Sequence, residues 1–141
     1  MSDNEHLVHE LRAATVRFHR AMAAFATENA LGETDVRALV ALLDLERDGL
    51  PATPGALAAE LSLSSAACTA LVDRMAAAGL VGRSPDPADR RRVRLVVTDG
   101  AKRLGEEFFA GLLGPIRAAA ARLDPVEAAA VSRFLASAVS P

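Results

Sequence analysis

Near the start of the chain, Leu11, Thr15, Phe18, Met22 and Phe25 recur at three- and four-residue spacing, with Arg12, Arg17 and Arg20 off that face. This predicts an amphipathic helix from about Asp3 to about Glu28. About 25 residues at 1.5 Å each make a rod of roughly 37 Å, longer than so small a domain needs for its own core, so part of it is expected to be an interface. After a break at "ALGET", Val36, Leu39, Val40 and Leu43 mark the buried stripe of a second helix from Thr34 to about Arg47, closed by "RDGLPA". "TPGALAAEL" then opens like a helix: Thr53 stands as N-cap, Pro54 occupies the first turn where a missing N–H costs nothing, and Leu57 and Leu61 face inward.

That third helix is short and interrupted by "SLS", after which Ser64 caps a longer one, "SAACTALVDRMAAAG", with Gly79 as its C-terminal stop. Cys68, Leu71, Val72 and Met75 fall at i, i+3, i+4 and i+7 and make its core face, which turns Ser65, Ala66, Thr69, Ala70 and Asp73 outward. Two strand-like pieces follow, "LVGR" and "RVRLVVT", on either side of "SPDPADR". In the second, Val93, Leu95 and Val97 alternate with Arg92, Arg94 and Val96 as in a half-buried strand. The chain closes with a helix from about Asp99, expected to kink where Pro115 removes a backbone donor, and a last helix opened by "DPVE". There Asp124 caps, Pro125 sits at the first helical position and Glu127 completes a capping box. Val131, Phe134, Leu135 and Ala138 form the apolar face.

Composition agrees with this mostly α reading. The 141 residues are 51% hydrophobic and 24% charged, alanine dominates, and Trp and Tyr are absent, as in helices packed through small side chains. No apolar run approaches the roughly 18–20 residues that span a bilayer, and "MSDNEH" lacks the basic and apolar regions of a signal peptide, so a cytoplasmic location without membrane contact is expected. The single cysteine, Cys68, rules out an internal disulfide and fits a small packed hydrophobe better than a redox sensor. His6 and His9, flanked by Glu5 and Glu10, have zinc-compatible types but read better as a solvated helix start. No catalytic Ser/His/Asp set, phosphate loop or carboxylate pair can be assembled, so neither an enzyme nor a cofactor is expected.

Charge adds the decisive asymmetry. The net charge is -2, yet residues 73–103 hold eight basic against four acidic residues, and Arg90, Arg91, Arg92 and Arg94 crowd behind a Pro-Asp-Pro turn. An isolated arginine run is usually a solvated hairpin. Here it follows a short helix, a tight turn and a second helix, and is carried on a stiff two-stranded stem, the order of a winged helix-turn-helix. The second helix suits the roughly 12 Å wide major groove of DNA, and an arginine-tipped ribbon suits the adjacent minor groove.

From "TDVRALVALL" through "TPGALAAELSLS", "ACTALVDRMAAAGLV" and "DPADRRRVRLVVTDGAKRL" to the closing helices, the chain resembles the MarR family of bacterial transcriptional regulators. The resemblance is most specific where "LVDRMAAAGLV" runs into "DPADRRRV", whose Asp-x-Arg element is Asp89 and Arg91. It implies one domain, with a winged lobe over about residues 34–98 and dimerisation helices over about 3–30 and 100–139. It further implies a homodimeric repressor that reads palindromic double-stranded DNA and is released by a small molecule. Arg91 would enter the minor groove, Asp89 would orient it, and Arg90 and Arg92 would meet phosphates. Arg74 would contact the DNA backbone or pair with a wing aspartate. Thr53 and Ser64 would also bind DNA, and Ser65, Ala66, Thr69 and Ala70 would face the major groove. Many relatives carry Arg, Lys or Gln there. Without them, discrimination falls to hydroxyls, thymine methyl contacts and groove shape. A ligand crevice is expected near Phe18, Met22, Val36, Val40 and Phe108. The alternative is a helical interaction module whose winged lobe no longer reads DNA.

Overall fold

The computed structural model describes residues 2–139, which form two compact units divided between Phe108 and Phe109. The first contains α1 (Asp3–Glu28), α2 (Glu33–Arg47), α3 (Pro54–Leu61), α4 (Ser65–Ala77), strands β1 (Val81–Pro85) and β2 (Val93–Val97), and the start of α5 (Asp99–Ala120). The second holds the remainder of α5 and α6 (Pro125–Val139). Both expected capping residues of the short helices act as such: the Thr53 hydroxyl accepts from the Ala56 N–H at 3.1 Å, and the Ser64 hydroxyl from the Ala67 N–H at 3.2 Å. Asp124 and Glu127 exchange hydrogen bonds as the capping box of α6.

Four helices end in the same way. At each end a leucine N–H reaches back five residues, Leu31 to Ala26, Leu50 to Leu45, Leu63 to Ala58 and Leu80 to Met75, and the residue before each leucine bonds three residues back. This is the Schellman arrangement, which needs a left-handed residue at the turn. Gly49 and Gly79 supply it freely, but Ala30 (φ 55°) and Ser62 (φ 54°) hold it against the steric cost of a Cβ. Leu80 joins the main core, and Leu31 and Leu63 pack against it.

That core lies between α2, α3, α4 and the wing. Leu39, Leu42, Leu57, Val72 and Met75 are fully buried, with Leu95 and Val97 reaching in from β2. Removing a buried leucine of this kind costs about 2–5 kcal/mol. α5 comes close to α2 at Gly105, where a Cβ would stand 2.7 Å from Leu43 Cδ1, which accounts for a buried glycine inside a helix. A smaller core joins α1 to α2 and the start of α5 through Phe25, Ala26 and Val36, with Met22 and Phe108 packed against it and the Phe25 and Phe108 rings 4.7 Å apart.

One expectation is corrected. Val93 was expected on the inner face of its strand, but it is 41% exposed: alternation puts it on the side of Leu95 and Val97, yet its register partner is Pro85 at the far end of the ribbon, beyond the reach of the core. α5 runs as one helix from Asp99 to Ala120 with Pro115 inside it. In the second unit no described residue is buried, and Val126, Val131, Phe134, Leu135 and Val139 are exposed.

Candidate nucleic-acid interface

α3 and α4 meet at 108° across Ser62–Ser64, within the range of about 90–120° for helix-turn-helix pairs. The core face of α4 is buried as its periodicity required. Ser65, Ala66, Thr69 and Ala70 are exposed side by side, with Thr53 half-buried at the start of α3. Their polar capacity is limited. The Thr69 hydroxyl donates to its own helix, to the Ser65 carbonyl at 2.9 Å, which commits its proton. Thr53 and Ser64 accept from backbone N–H groups, which leaves each its hydroxyl proton to donate.

The wing is antiparallel, with Val81 paired to Val97 and Pro85 to Val93. It is tied to the lobe by the Leu95 N–H, which donates to the Ala52 carbonyl at 2.7 Å, and by Arg83, which pairs with Asp73 of α4. Its tip is organised by Asp86, a residue the sequence reading passed over. Asp86 is 6% exposed, and its Oδ1 accepts the Ala88 N–H at 2.8 Å while its own N–H donates to the Arg92 carbonyl at 2.9 Å. Oδ2 lies 3.4 Å from Arg94 Nε. The Ala88 N–H holds the Asp86 carboxyl below the ordinary carboxylate range, assisted by Arg94 and opposed by burial. An aspartate before a proline that turns the chain by accepting the N–H two residues on is a local signal, and "PDPA" carried it.

Asp89, Arg90, Arg91 and Arg92 are all exposed at the tip. Asp89 does act on Arg91, but through the backbone: its Oδ1 accepts the Arg91 N–H at 3.0 Å, and its carbonyl accepts the Arg92 N–H at 2.9 Å. The tip is thus a double turn with its three arginine side chains turned outward.

Arg74 does not pair with a wing aspartate. Its Nε and Nη2 donate to Oδ1 of Asp35, on α2, at 3.0 and 2.8 Å. Nothing local in the sequence signalled this, because the partners lie 39 positions apart.

Of the residues expected around a ligand crevice, Val36 is buried in the small core and Phe108 packs against it, while Phe18 and Val40 are half-buried. The recess between α1 and α2, about 140 Å³, is lined by Met22 together with His19, Ala23, Glu33 and Arg37. His6 lies 3.2 Å from Glu10, and among the described residues no three His, Cys, Asp or Glu side chains converge as metal ligands. Cys68 is buried, donates its S–H to the Pro54 carbonyl at 3.3 Å, and has its thiol pKa pushed up by burial, the opposite of a reactive thiolate.

Residues 31–92, from the second helix to the wing tip, match the model of the MarR family. An uncharacterised HTH-type transcriptional regulator of Bacillus subtilis, YcgE, is 38% identical over 105 residues, which cover 73% of this chain and 62% of that protein. The chain therefore spans less than two thirds of that relative's length. The fold is similar to that of the transcriptional regulator Tm0710 of Thermotoga maritima (TM-score 0.66, 22% identity, 94% of this chain and 91% of that one). It is also similar to a mutant of MepR from S. aureus solved bound to an oligodeoxyribonucleotide (TM-score 0.63, 17% identity, 94% and 95%). The match to the MarR family model thus lies over both the helix pair that meets at 108° and the paired wing: residues 31–92 are similar to that family, on a winged helix-turn-helix fold.

Proposed function

We propose that the protein is a cytoplasmic DNA-binding transcriptional regulator, a homodimeric repressor that reads a palindromic operator and is released by a small molecule. The observation that carries this reading is the juxtaposition of an exposed, unobstructed α4 face with an ordered turn holding Arg90, Arg91 and Arg92 on a ribbon tied to the same lobe. Arginine on a stiff ribbon suits minor-groove insertion and phosphate contact, and it gives the lobe a positive pole that the net charge of -2 conceals. Arg91 enters the groove, held by the Asp89 turn, and Arg90 and Arg92 neutralise phosphates. On α4, Ser65 reads by hydroxyl, Ala66, Ala70 and the Thr69 methyl by apolar contact with thymine, and the caps Thr53 and Ser64 donate to phosphates at two helix starts.

Dimerisation is supported by what the helices outside the lobe leave uncovered. Leu7, Val8 and Val16 of α1 and Val131, Phe134 and Leu135 of α6 are exposed, and a monomer gains nothing from such stripes. Covering a side chain of this size contributes about 1.5–3 kcal/mol. Two lobes then sit at half-sites about one helical turn apart, roughly 34 Å. A small molecule lodged by α1 and α2, near Phe18, Met22, Val36, Val40 and Phe108 or in the recess that Met22 shares with His19 and Arg37, shifts that spacing only by binding the two states unequally.

The test is a salt titration of binding to the gene's own upstream intergenic duplex and to a scrambled duplex. A preference for the native duplex with a negative log–log salt slope supports the reading. Equal, weak binding to both favours a helical interaction module in its place. Arg91→Ala should weaken binding without loss of the dimer, measured by sedimentation; affinity retained within about twofold removes the wing assignment.

A further inference from the structure

The polar arms of the α4 helix are spoken for within the protein. Asp73 pairs with Arg83 of the wing stem, and Arg74 pairs with Asp35. The second pair is the more constrained. Asp35 is 6% exposed at the third position of α2. Its Oδ2 accepts the Gly32 N–H at 2.9 Å and so closes the start of that helix, while its Oδ1 takes both Nε and Nη2 of Arg74. One carboxylate thus joins the first turn of α2 to the outer half of α4. A buried carboxylate with a single cationic partner is costly to leave alone, so the pair has a defined geometry where an exposed ion pair would have many. Arg74 spans from the surface to that carboxylate, and two of its three nitrogens are used there.

Resting on the reading of α4 as the helix that enters the major groove, we infer that Arg74 is a positioning residue for recognition and not a phosphate contact: through Asp35 it sets the angle at which α4 is presented. The apolar packing of α4 through Cys68, Leu71, Val72 and Met75 restrains its distance from α2 and α3, but it is not directional. The two-pronged hydrogen bond is directional, and it lies near the end of α4 remote from the turn, where a given displacement changes the tilt most. A face made of Ser65, Ala66, Thr69 and Ala70 has short reach, so its contacts depend on that tilt more than those of a long arginine would.

The experiment uses the full-length protein, a duplex selected by the wild type from a randomised pool, and a scrambled duplex, each titrated across salt. If the wild type selects nothing, the DNA-binding reading itself fails, and the variants are not reached. Once it selects a duplex, Asp35→Asn is the discriminating variant. It removes a negative charge, so simple electrostatics has it bind every DNA as tightly as before or more so, whereas loss of positioning lowers the ratio of selected to scrambled affinity by about tenfold. Loss of folded protein would weaken both duplexes together and leave that ratio unmoved. Arg74→Lys keeps the charge at a half-exposed position but not the two-pronged bond, and it should lower the ratio similarly with an unchanged salt slope. The double variant should be no worse than either single one. The inference is overturned if Asp35→Asn and Arg74→Lys keep the ratio. It is overturned equally if Arg74→Met reduces the salt slope by about 0.9, the signature of one phosphate no longer neutralised.

Discussion

The α4 face and the wing tip are two surfaces of one lobe built from opposite chemistry. On α4, Ser65, Ala66, Thr69 and Ala70 offer small side chains on a rigid helix anchored by a buried face. On the wing, Arg90, Arg91 and Arg92 offer long charged side chains on a turn that has almost no apolar support and is held by hydrogen bonds to Asp86 and Asp89. A surface that can supply only methyls and hydroxyls discriminates through close fit and contributes little free energy per contact. A surface of arginines contributes much and discriminates little, except by groove width. The division implies that affinity resides in the wing and sequence preference in α4.

The largest effect expected under this division is for the triple variant R90A/R91A/R92A. Binding to selected and scrambled duplexes should both fall, by about a hundredfold or more at physiological salt, with the salt slope reduced by up to about 0.9 for each phosphate left without its arginine. A loss confined to the selected duplex would reverse the assignment of roles. Next comes Asp86→Ala, which removes the acceptor for Ala88 and the counter-charge of Arg94 while leaving every tip arginine in place. Affinity should drop by about tenfold as the tip loses its order, seen as faster amide exchange at Ala88. The same turn has a definite response to pH. Because the folded-state pKa of Asp86 is depressed below its ordinary 3.8, the stabilisation is fully present above that value and is lost as pH falls through the depressed one. Exchange at Ala88 should be protected from neutral pH down to about 4 and released only in stronger acid.

Smaller effects should come from the major-groove side. Replacing thymines of the selected half-site by deoxyuridine deletes methyl groups and nothing else; each contacted position should cost about 1 kcal/mol or less, with no change in salt slope. Ser62→Gly tests the scaffold between the two helices. It relieves a left-handed serine at the helix-turn-helix turn, so it should raise stability by roughly 0.5–1 kcal/mol in denaturant melts while affinity stays level. A change in affinity there would mean that the strained turn sets the α3–α4 angle.

How far these surfaces could be read from the sequence depended on the range of the interaction. Cys68, Leu71, Val72 and Met75 identified the buried side of α4, and by subtraction its exposed side, because helical period alone decides both. The caps at Thr53 and Ser64 were legible for the same reason. Val93 was misplaced because alternation tells which face a residue is on but not where the core beneath that face ends. Asp86 was visible in principle as an Asp-Pro turn, yet among four wing-region acids its burial had no sequence mark. Asp35 was out of reach altogether: its role comes from a partner on another helix, and its own neighbourhood reads as an ordinary acidic first turn. The ends of α1 and α3 were legible at "ALGET" and "SLS", although the left-handed residues there are Ala30 and Ser62 and not glycines.

Those helix ends also limit how the gene can change. At residues 30–31, 62–63 and 79–80, a left-handed residue is followed immediately by a leucine that packs on or within the main core, so the number of residues between helix and anchor is fixed even where their identity is not. One inserted codon at any of these three joints would withdraw the anchor or rotate the next helix out of phase. The exposed stretch at residues 87–92, held by turn hydrogen bonds and covering no core, can grow or shrink without that penalty. Length variation in descendants of this chain should therefore collect at the wing tip, and the spacing of helix to helix should pass unchanged between lineages whose side chains have diverged.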